Sequence, residues 1–317
     1  MRGFTNHYNH DGEYALIGRQ GALCGNVNYA VGKSYFTEHA VAVRANKTNQ
    51  TRFLYYLFST MNLGQYSGQS AQPGLAVGNL VELENVVPSK PEQEKIASFL
   101  SSLDNLITLH QRKYDKLQVL KKAMLEKMFP KNSSGVPEIR FKGFTDAWEQ
   151  RKAKDLCSIS TGKSNTQDRV DDGIYPFYVR SPIVEHSNRY LFDEEAVLTV
   201  GDGVGTGKVF HYVNGKYDLH QRVYRMFDFS EEITAKYFYY YFSNHFYDRV
   251  MAMTAKTSVD SVRYEMIADM DIALPKVKEQ MAISAYFDRL DHLITLHQRE
   301  LEKLQNIKKS MLEKMFV

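Results

Sequence analysis

The segment with the strongest chemical signal is a glycine-rich loop at residues 201–208, with the sequence GDGVGTGK. Because it follows an apolar run typical of a strand, its backbone amides could bind a phosphate. A P-loop, however, needs glycine where Asp202 stands and Ser or Thr where Val209 stands, and the dinucleotide motif fails at its third glycine. We therefore interpret residues 201–208 as a hairpin, or as a loop whose backbone approaches a ligand.

No other arrangement of residues indicates catalysis. The chain has two cysteines, Cys24 and Cys157, and no Cys, His and carboxylate side chains recur at metal-ligand spacing. A methyltransferase that modifies exocyclic amines would need adjacent prolines, and no two of the eight prolines are adjacent. No Ser-His-Asp or Cys-His set stands out. We therefore expect no catalytic residue, no metal site and no cofactor.

The composition is that of a globular chain with nearly balanced charge. Hydrophobic residues make up 43% of the chain, and the formal net charge of +3 neither requires nor excludes a nucleic-acid partner. No apolar run reaches the roughly 18 residues that a membrane-spanning helix needs, and the first residues lack the apolar core of a signal peptide. Without a disulfide framework, we expect a protein of the reducing cytoplasm.

An internal repeat organises the chain. Residues 103–129 and 290–316 are identical at 20 of 27 positions, at a constant offset of 187. Upstream the likeness fades, but an aromatic run at residues 53–59 corresponds to another at residues 237–243. Each half of the chain therefore consists of a divergent globular part followed by a closely repeated helical part.

The two halves differ in length. The second half opens with residues 144–180, which have no counterpart in the first half. Judged from the offset, the first globular part lacks about 35 to 45 residues at its front.

Both repeated segments have the apolar spacing of a coiled coil. Seam positions recur at alternating steps of four and three over more than four heptads. The sequence SKPE at residues 89–92 combines a capping box with an early proline, which predicts the start of a helix. The expected seam consists of Ile96, Leu100, Leu103, Ile107, His110, Leu117 and Met124 in the first helix, and of Ile283, Phe287, Leu290, Ile294, His297, Leu304 and Met311 in the second.

Polar side chains interrupt this seam at the same two positions in each half. They are His110 and Lys121 in the first helix, and His297 and Lys308 in the second. Polar seam residues fix the register of paired helices at a cost in stability, so we expect the two helices to pair with each other. Parallel and antiparallel pairing both remain possible, and in the alternative each helix packs only on its own globular part. We expect the histidines to be seam residues rather than metal ligands.

The loops of the globular parts contain side chains suited to DNA. Arg, Gln and Asn can hydrogen-bond base edges, whereas Lys and Ser can hold phosphates. The tyrosines at residues 55–56 and 239–241 are more typical of a buried core. On residue type and loop position, we expect DNA contacts from Arg19, Gln20, Lys163, Arg180, Ser181, Lys208, Gln221, Arg222 and Lys256.

The order of these features resembles the specificity subunit of type I restriction-modification systems. The likeness covers nearly the whole chain and rests on the duplicated order rather than on one motif. The first half departs from the family pattern, because it lacks the front of its globular part. The motifs that carry the resemblance are Pro88 with EQEKI at 92–96, Pro275 with EQMAI at 279–283, the opening FTDAWEQR at 144–151, and the Ser-Val element within TSVDSV at 257–262.

The resemblance implies an α+β fold. Two α/β target-recognition domains would each be followed by a long repeated helix, and the two helices would pair as an antiparallel coiled coil. The expected boundaries are 1–90 for an incomplete first recognition domain, 91–130 for the first helix, 131–143 for a linker, 144–277 for the second recognition domain and 278–317 for the second helix.

The resemblance also implies a DNA-reading function without catalysis by this chain. Each recognition domain would bind one half of a split double-stranded DNA target, and the paired helices would set the spacing between the half-sites. Two DNA methyltransferase subunits would dock on the helices and transfer methyl groups from S-adenosylmethionine. A restriction subunit that translocates DNA would join the complex and add ATP-dependent cleavage.

The residues alone leave other classes of protein open. The main alternative is a scaffold that does not bind DNA, in which the coiled coil joins two protein-binding domains. A nucleotide hydrolase that uses residues 201–208 is a third hypothesis.

Replacing both Ile107 and Ile294 with Asp tests the pairing of the helices. Each change places a charge in the expected apolar seam, so we expect the free energy of unfolding to fall by about 2–4 kcal/mol. Thermal unfolding followed by circular dichroism measures the effect. An unchanged melting temperature would show that the helices do not meet along this seam.

Overall fold

The computed structural model describes residues 3–68, 74–130, 135–203, 205–253 and 261–316. It confirms the predicted α+β fold class, with helices and sheets distributed over two compact units. Unit 1 consists of Met1–Tyr114 and Leu296–Val317, and unit 2 consists of Asp115–Thr295. The boundary falls inside both long helices, so each unit contains one globular part and a portion of each helix.

The globular part of unit 1 is a small antiparallel sheet packed on a helix. Strands β1 (Glu13–Gly18), β2 (Val27–Val31) and β3 (Ala40–Val43) lie in the order β2-β1-β3. Successive strand residues face opposite sides, and β1 buries Ala15 and Ile17 on one of them. Two helices, α1 (Thr51–Thr60) and α2 (Val77–Val81), precede the long helix α3 (Lys90–Met128).

The globular part of unit 2 is larger. Six strands form one sheet in the order β5-β10-β8-β9-β6-β7, and two more form a separate pair, β11-β4. All strand pairs are antiparallel except β6 with β9. The elements are β4 (Glu149–Lys152), α4 (Ala153–Leu156), β5 (Ser158–Thr161), β6 (Tyr175–Tyr178), β7 (Val184–Ser187), β8 (Phe192–Val200), β9 (Phe210–Leu219), β10 (Val223–Phe227), α5 (Ala235–Met253), α6 (Tyr264–Ala268), β11 (Asp271–Leu274) and the long helix α7 (Val277–Met315).

Aromatic side chains of α1 and α5 build the two cores. In unit 1, Phe53 and Tyr56 are buried on α1, and in unit 2 α5 buries most of its aromatic run, including Tyr237 and Phe242. These rings are therefore core residues, as expected for the tyrosine runs, and only the loops remain as candidates for contacts with a ligand.

The central strand has the same neighbours in both units. Strand β1 lies between β2 and β3, and β8 lies between β9 and β10. Among the residues that the structure describes, unit 1 has no counterpart of β4, β5, β6 or β7. Strands β4, β5 and β6 lie within residues 144–180, the region that has no match in the first half of the sequence, and β7 follows directly after it.

A buried glutamine joins each long helix to the helix that packs on it. The side-chain oxygen of Gln93 accepts the backbone N–H of Gln50 at 3.0 Å, and its amide donates to the carbonyl of the preceding proline at 2.9 Å. Gln280 accepts the N–H of Thr234 at 2.9 Å and donates to its own preceding proline at 2.8 Å. Each glutamine thus satisfies backbone groups where α1 or α5 begins.

Replacing Gln280 with Ala should lower the free energy of unfolding by about 2–4 kcal/mol, because a buried N–H and buried carbonyls lose their partners. The matched control is Gln298→Ala on the same helix, where the exposed side chain bonds to Glu302 at 3.2 Å. Urea denaturation measures both variants. Equal midpoints for the two variants would contradict the bridging role of Gln280.

Candidate nucleic-acid interface

Loops of unit 2 converge on the turn between β9 and β10. Ser164, in the loop after β5, donates its backbone N–H to Leu219 at 3.0 Å and accepts the N–H of Gln221 at 2.8 Å. The end of β6 reaches the same turn, because the N–H of His220 donates to the carbonyl of Tyr178 at 3.0 Å. The loop after β8 also bonds to this turn. Residues distant in the chain therefore share one surface.

The carboxylate of Asp202 lies between two arginines on this surface. It is 3.4 Å from Nη1 of Arg180 and 3.8 Å from Nε of Arg222. Asp202 is half-buried, whereas both arginines are exposed. A guanidinium group has five N–H donors, so one shared carboxylate leaves donors on each arginine for an incoming phosphate or base edge.

A second ionic group holds the loop after β5 in place. Nη2 of Arg189 donates to Oγ of Ser164 at 3.0 Å and to Asp168 at 2.8 Å. The hydroxyl of Ser164 donates in turn to the fully buried Asp218 at 2.5 Å. Because a buried carboxylate is costly without partners, this network restrains the loop that carries Lys163.

The buried imidazole of His220 shapes the turn between β9 and β10. Its Nδ1 accepts the backbone N–H of Arg222 at 3.0 Å. Burial lowers the pKa of His220, and the nearby charge of Arg180 lowers it further. The ring is therefore neutral at pH 7 and can act as this acceptor, which holds the backbone that presents Gln221 and Arg222.

The structure brings together Lys163, Arg180, Ser181, Gln221 and Arg222 from the expected DNA contacts. Nζ of Lys208 lies 4.7 Å from the ring centre of Tyr247 on α5. The glycine-rich loop that precedes Lys208 connects the antiparallel strands β8 and β9 as a hairpin. Lys256 lies outside the described residues.

Unit 1 places Arg19 and Gln20 directly after β1. The guanidinium of Arg19 donates to the carbonyl of Glu38 at 3.2 Å and to that of Leu75 at 3.4 Å. The Gln20 side chain is exposed. Arg19 therefore supports the local backbone, and Gln20 is the freer of the two for a ligand.

Sequence patterns identify neither Asp202 nor Arg189 as part of this surface. In the sequence, Asp202 matters only as the residue that breaks a P-loop motif, and Arg189 stands in a short polar turn. Arg and Asp in turns are ordinary surface residues, so no signal in the sequence distinguishes these two.

The long helices provide a second candidate surface, and in unit 1 they run antiparallel. Nζ of Lys308 on α7 lies 2.5 Å from Asp104 on α3, and the hydroxyl of Tyr56 donates to the same carboxylate at 2.6 Å. Further along α3, His110 meets His297, with 3.1 Å between the Nδ1 atoms. Burial and the bond to Asp104 raise the pKa of Tyr56, so its phenol remains a donor.

Unit 2 has the same kind of lysine–carboxylate–tyrosine contact, but here the lysine is on α3 and the carboxylate is on α7. Lys121 on α3 pairs with Asp291 on α7, and the hydroxyl of Tyr240 donates to Asp291 at 3.0 Å and to Asp288 at 2.7 Å. The two lysines occur at polar seam positions and are matched by carboxylates of the opposite helix. All of the expected seam residues are buried or half-buried.

Both helices also expose leucines at repeated positions. Leu106 and Leu109 are exposed on α3, and Leu293 and Leu296, at the offset of 187, are exposed on α7. Exposed apolar side chains that recur on two copies of one helix are suited to contacts with two copies of one partner.

Within the part of the chain that the structure describes, no group of three or more His, Cys, Asp or Glu side chains could hold a metal ion. None of the helices described there is long and apolar enough to cross a membrane.

Comparisons with known proteins match both halves of the chain. The sequence model of the type I restriction modification DNA specificity domain matches residues 2–119 and 145–306. The EcoprrI specificity subunit of Escherichia coli is 49% identical over 106 residues, which are 33% of this chain and 26% of that protein. The MjaVIII specificity subunit of Methanocaldococcus jannaschii is 26% identical over 306 residues, 85% of this chain and 71% of that protein. The first match thus spans about a quarter of the relative.

Solved structures share the fold. The crystal structure of a type I restriction-modification system S subunit from M. genitalium superimposes with a TM-score of 0.78 at 15% identity, covering 100% of this chain and 86% of that one. A chain from a structural study of assembly of the type I restriction-modification system has a TM-score of 0.52 at 16% identity, covering 98% and 82%.

Proposed function

Because the chain belongs to the type I restriction-modification DNA specificity family, we propose that it is the DNA sequence-specificity subunit of a type I restriction-modification complex. The observation that carries this proposal is the family match across both halves, residues 2–119 and 145–306. The chain is a reader and not an enzyme; methyl transfer and cleavage belong to other subunits.

The loops around Asp202 support DNA binding by unit 2. Arg180 and Arg222 each have donors left over, and arginine is the side chain that most often pairs with the major-groove edge of guanine. Lys163 and Gln221 lie on the same converging loops, where they can contact a phosphate and an adenine edge respectively. Ser181, next to Arg180, completes the set.

Duplication supports a bipartite DNA target. Two globular parts with the same central strands but divergent loops can each read a different half-site of one asymmetric sequence. In unit 1 the reading side chains would be Gln20 and Arg19, at the end of β1. Lys208 and Lys256 remain proposed contacts on the second half-site.

The repeated helices support docking of two DNA methyltransferase subunits. Because the exposed leucines recur at an offset of 187, each helix offers the same apolar contact to one copy of the partner. Through these subunits a restriction subunit that translocates DNA would join the complex, in the cytoplasm where cellular DNA is accessible.

The family match favours this function over a scaffold that does not bind DNA. A scaffold would need neither the convergence of arginines around Asp202 nor the loops that differ between the two units.

Replacing Arg180 and Arg222 with Ala should weaken binding of duplex DNA by the complex with its methyltransferase. If both contact phosphates, the slope of log affinity against log salt should fall by about 2. The control is Lys127→Ala, where the exposed amine pairs with Glu138. Fluorescence anisotropy over a range of salt concentrations measures the effect. Unaltered affinity and slope would place the DNA surface elsewhere.

Replacing Leu106 with Lys should remove one of two bound methyltransferase subunits, and replacing Leu106 and Leu293 together should remove both. Each lysine breaks an exposed apolar contact without disturbing the seam. Val119→Lys is the control, because Val119 is exposed on α3 but corresponds to Asn306 on α7. Native mass spectrometry counts the subunits. Two subunits retained by the double variant would refute this docking surface.

A further inference from the structure

The loop after β8 fixes the backbone at Asp202 on two sides. The N–H of Gly201 donates to the carbonyl of Arg222 at 2.8 Å, and the carbonyl of Gly201 accepts the N–H of Val262 at 2.7 Å. A Cβ at Gly201 would lie 2.6 Å from the carbonyl oxygen of Arg222, so only glycine allows this close approach. Asp202 itself pairs with Ser261 in an isolated antiparallel bridge. The surrounding chain therefore determines where the carboxylate of Asp202 begins.

The carboxylate of Asp202 keeps unused acceptor capacity at the surface. Its Oδ1 lies 3.4 Å from Nη1 of Arg180, and its Oδ2 lies 3.8 Å from Nε of Arg222, which is beyond hydrogen-bond distance. The side chain is 26% exposed. Because a carboxylate has about four lone-pair sites, both oxygens can accept further donors. An acceptor, Oδ1 of Asp202, and a cationic donor, Nη1 of Arg180, thus lie side by side.

This acceptor and donor match the major-groove edge of a C·G base pair. A DNA phosphate would repel the carboxylate, since both are anionic. The base groups that can donate to a carboxylate in the major groove are the amines N4 of cytosine and N6 of adenine. In a C·G pair, N4 stands beside the O6 acceptor of guanine, about 2.9 Å away through their own hydrogen bond. The acceptor and donor of the protein, 3.4 Å apart, therefore face a donor and an acceptor at similar spacing.

An A·T pair also presents an amine beside a carbonyl, but it fits less well. Adenine N7 is an acceptor next to N6, so it repels an approaching carboxylate. The C5-methyl group of thymine stands beside O4, where it obstructs a guanidinium group, whereas guanine adds a second acceptor, N7, for that group. The pair formed by Asp202 and Arg180 therefore favours C·G over A·T.

We propose that Asp202 is a specificity-determining residue that selects cytosine in the half-site bound by unit 2. Its carboxylate accepts from N4 of cytosine while Arg180 donates to O6 and N7 of the paired guanine. Arg222 remains for a phosphate or for a neighbouring base pair. The inference rests on the proposed DNA-reading function and adds to it which base this side chain selects.

Selection from a pool of duplexes with randomised half-sites tests the proposal on the complex with its methyltransferase. The bound duplexes are sequenced for the wild type, for Asp202→Asn and for Asp202→Ala. One half-site of the wild type should contain a C·G pair. Asp202→Ala should reduce the preference for cytosine there by about tenfold or more, because the acceptor is lost. Asp202→Asn should shift the preference toward adenine, because an amide pairs with N6 and N7 of that base.

The other half-site and a matched variant supply the controls. The half-site bound by unit 1 should keep its base preferences in both Asp202 variants, which shows that the protein is folded and bound. Asp146→Asn removes the same charge from unit 2 at an exposed carboxylate near the start of α7, which pairs with Lys276 at 2.6 Å. This variant should leave the base preferences of both half-sites unchanged.

Two results would overturn the proposal while leaving the DNA-reading function intact. In one, the Asp202 variants keep the base preferences of the wild type, or change a position that is not cytosine. In the other, affinity falls equally for all duplexes and no base preference changes, which indicates that Asp202 only supports the fold. Absence of any base preference in the wild-type complex would instead contradict the proposed function, and the inference would fail with it.

Discussion

The pairing of the two long helices depends on one lysine in the apolar seam of each helix. A buried or half-buried charge is tolerated only where an opposite charge and hydrogen bonds meet it. Lys308 meets Asp104 and Lys121 meets Asp291, and in each unit a tyrosine hydroxyl bonds to the same carboxylate. Antiparallel pairing in one register satisfies both lysines, and a shifted register would leave them without partners.

This register also determines what the ends of the helices contact. Phe129, just after α3, is buried in unit 2 among the rings of Tyr237, Tyr241 and Phe287. Phe316, its repeat just after α7, packs on Phe53 in unit 1, with 5.2 Å between the ring centres. Each globular core is therefore completed by the end of the helix that belongs to the other half of the sequence. Folding of each unit and pairing of the helices are thus coupled.

This coupling explains why the helices are similar in the two halves while the loops differ. Core, seam and the bridging glutamines constrain α1, α5 and the long helices, so these elements stay alike in both halves. Loops such as those around Asp202 contribute little to the core, and they can change without disturbing the helices. This pattern fits the proposed function, in which the repeated helices bind identical partners and the divergent loops bind different half-sites.

The sequence by itself determined the duplication, the two long helices, the seam residues and the α+β class, because these are patterns of spacing and similarity along the chain. By residue type it also predicted Arg180, Gln221 and Arg222 as DNA contacts, which remain a prediction. Only the tertiary structure decided that the two long helices run antiparallel, which carboxylate pairs with each seam lysine, and that Arg180 and Arg222 lie on either side of Asp202. The physical reason is that these contacts join residues far apart in the chain, and their proximity follows from packing of the whole fold rather than from local periodicity.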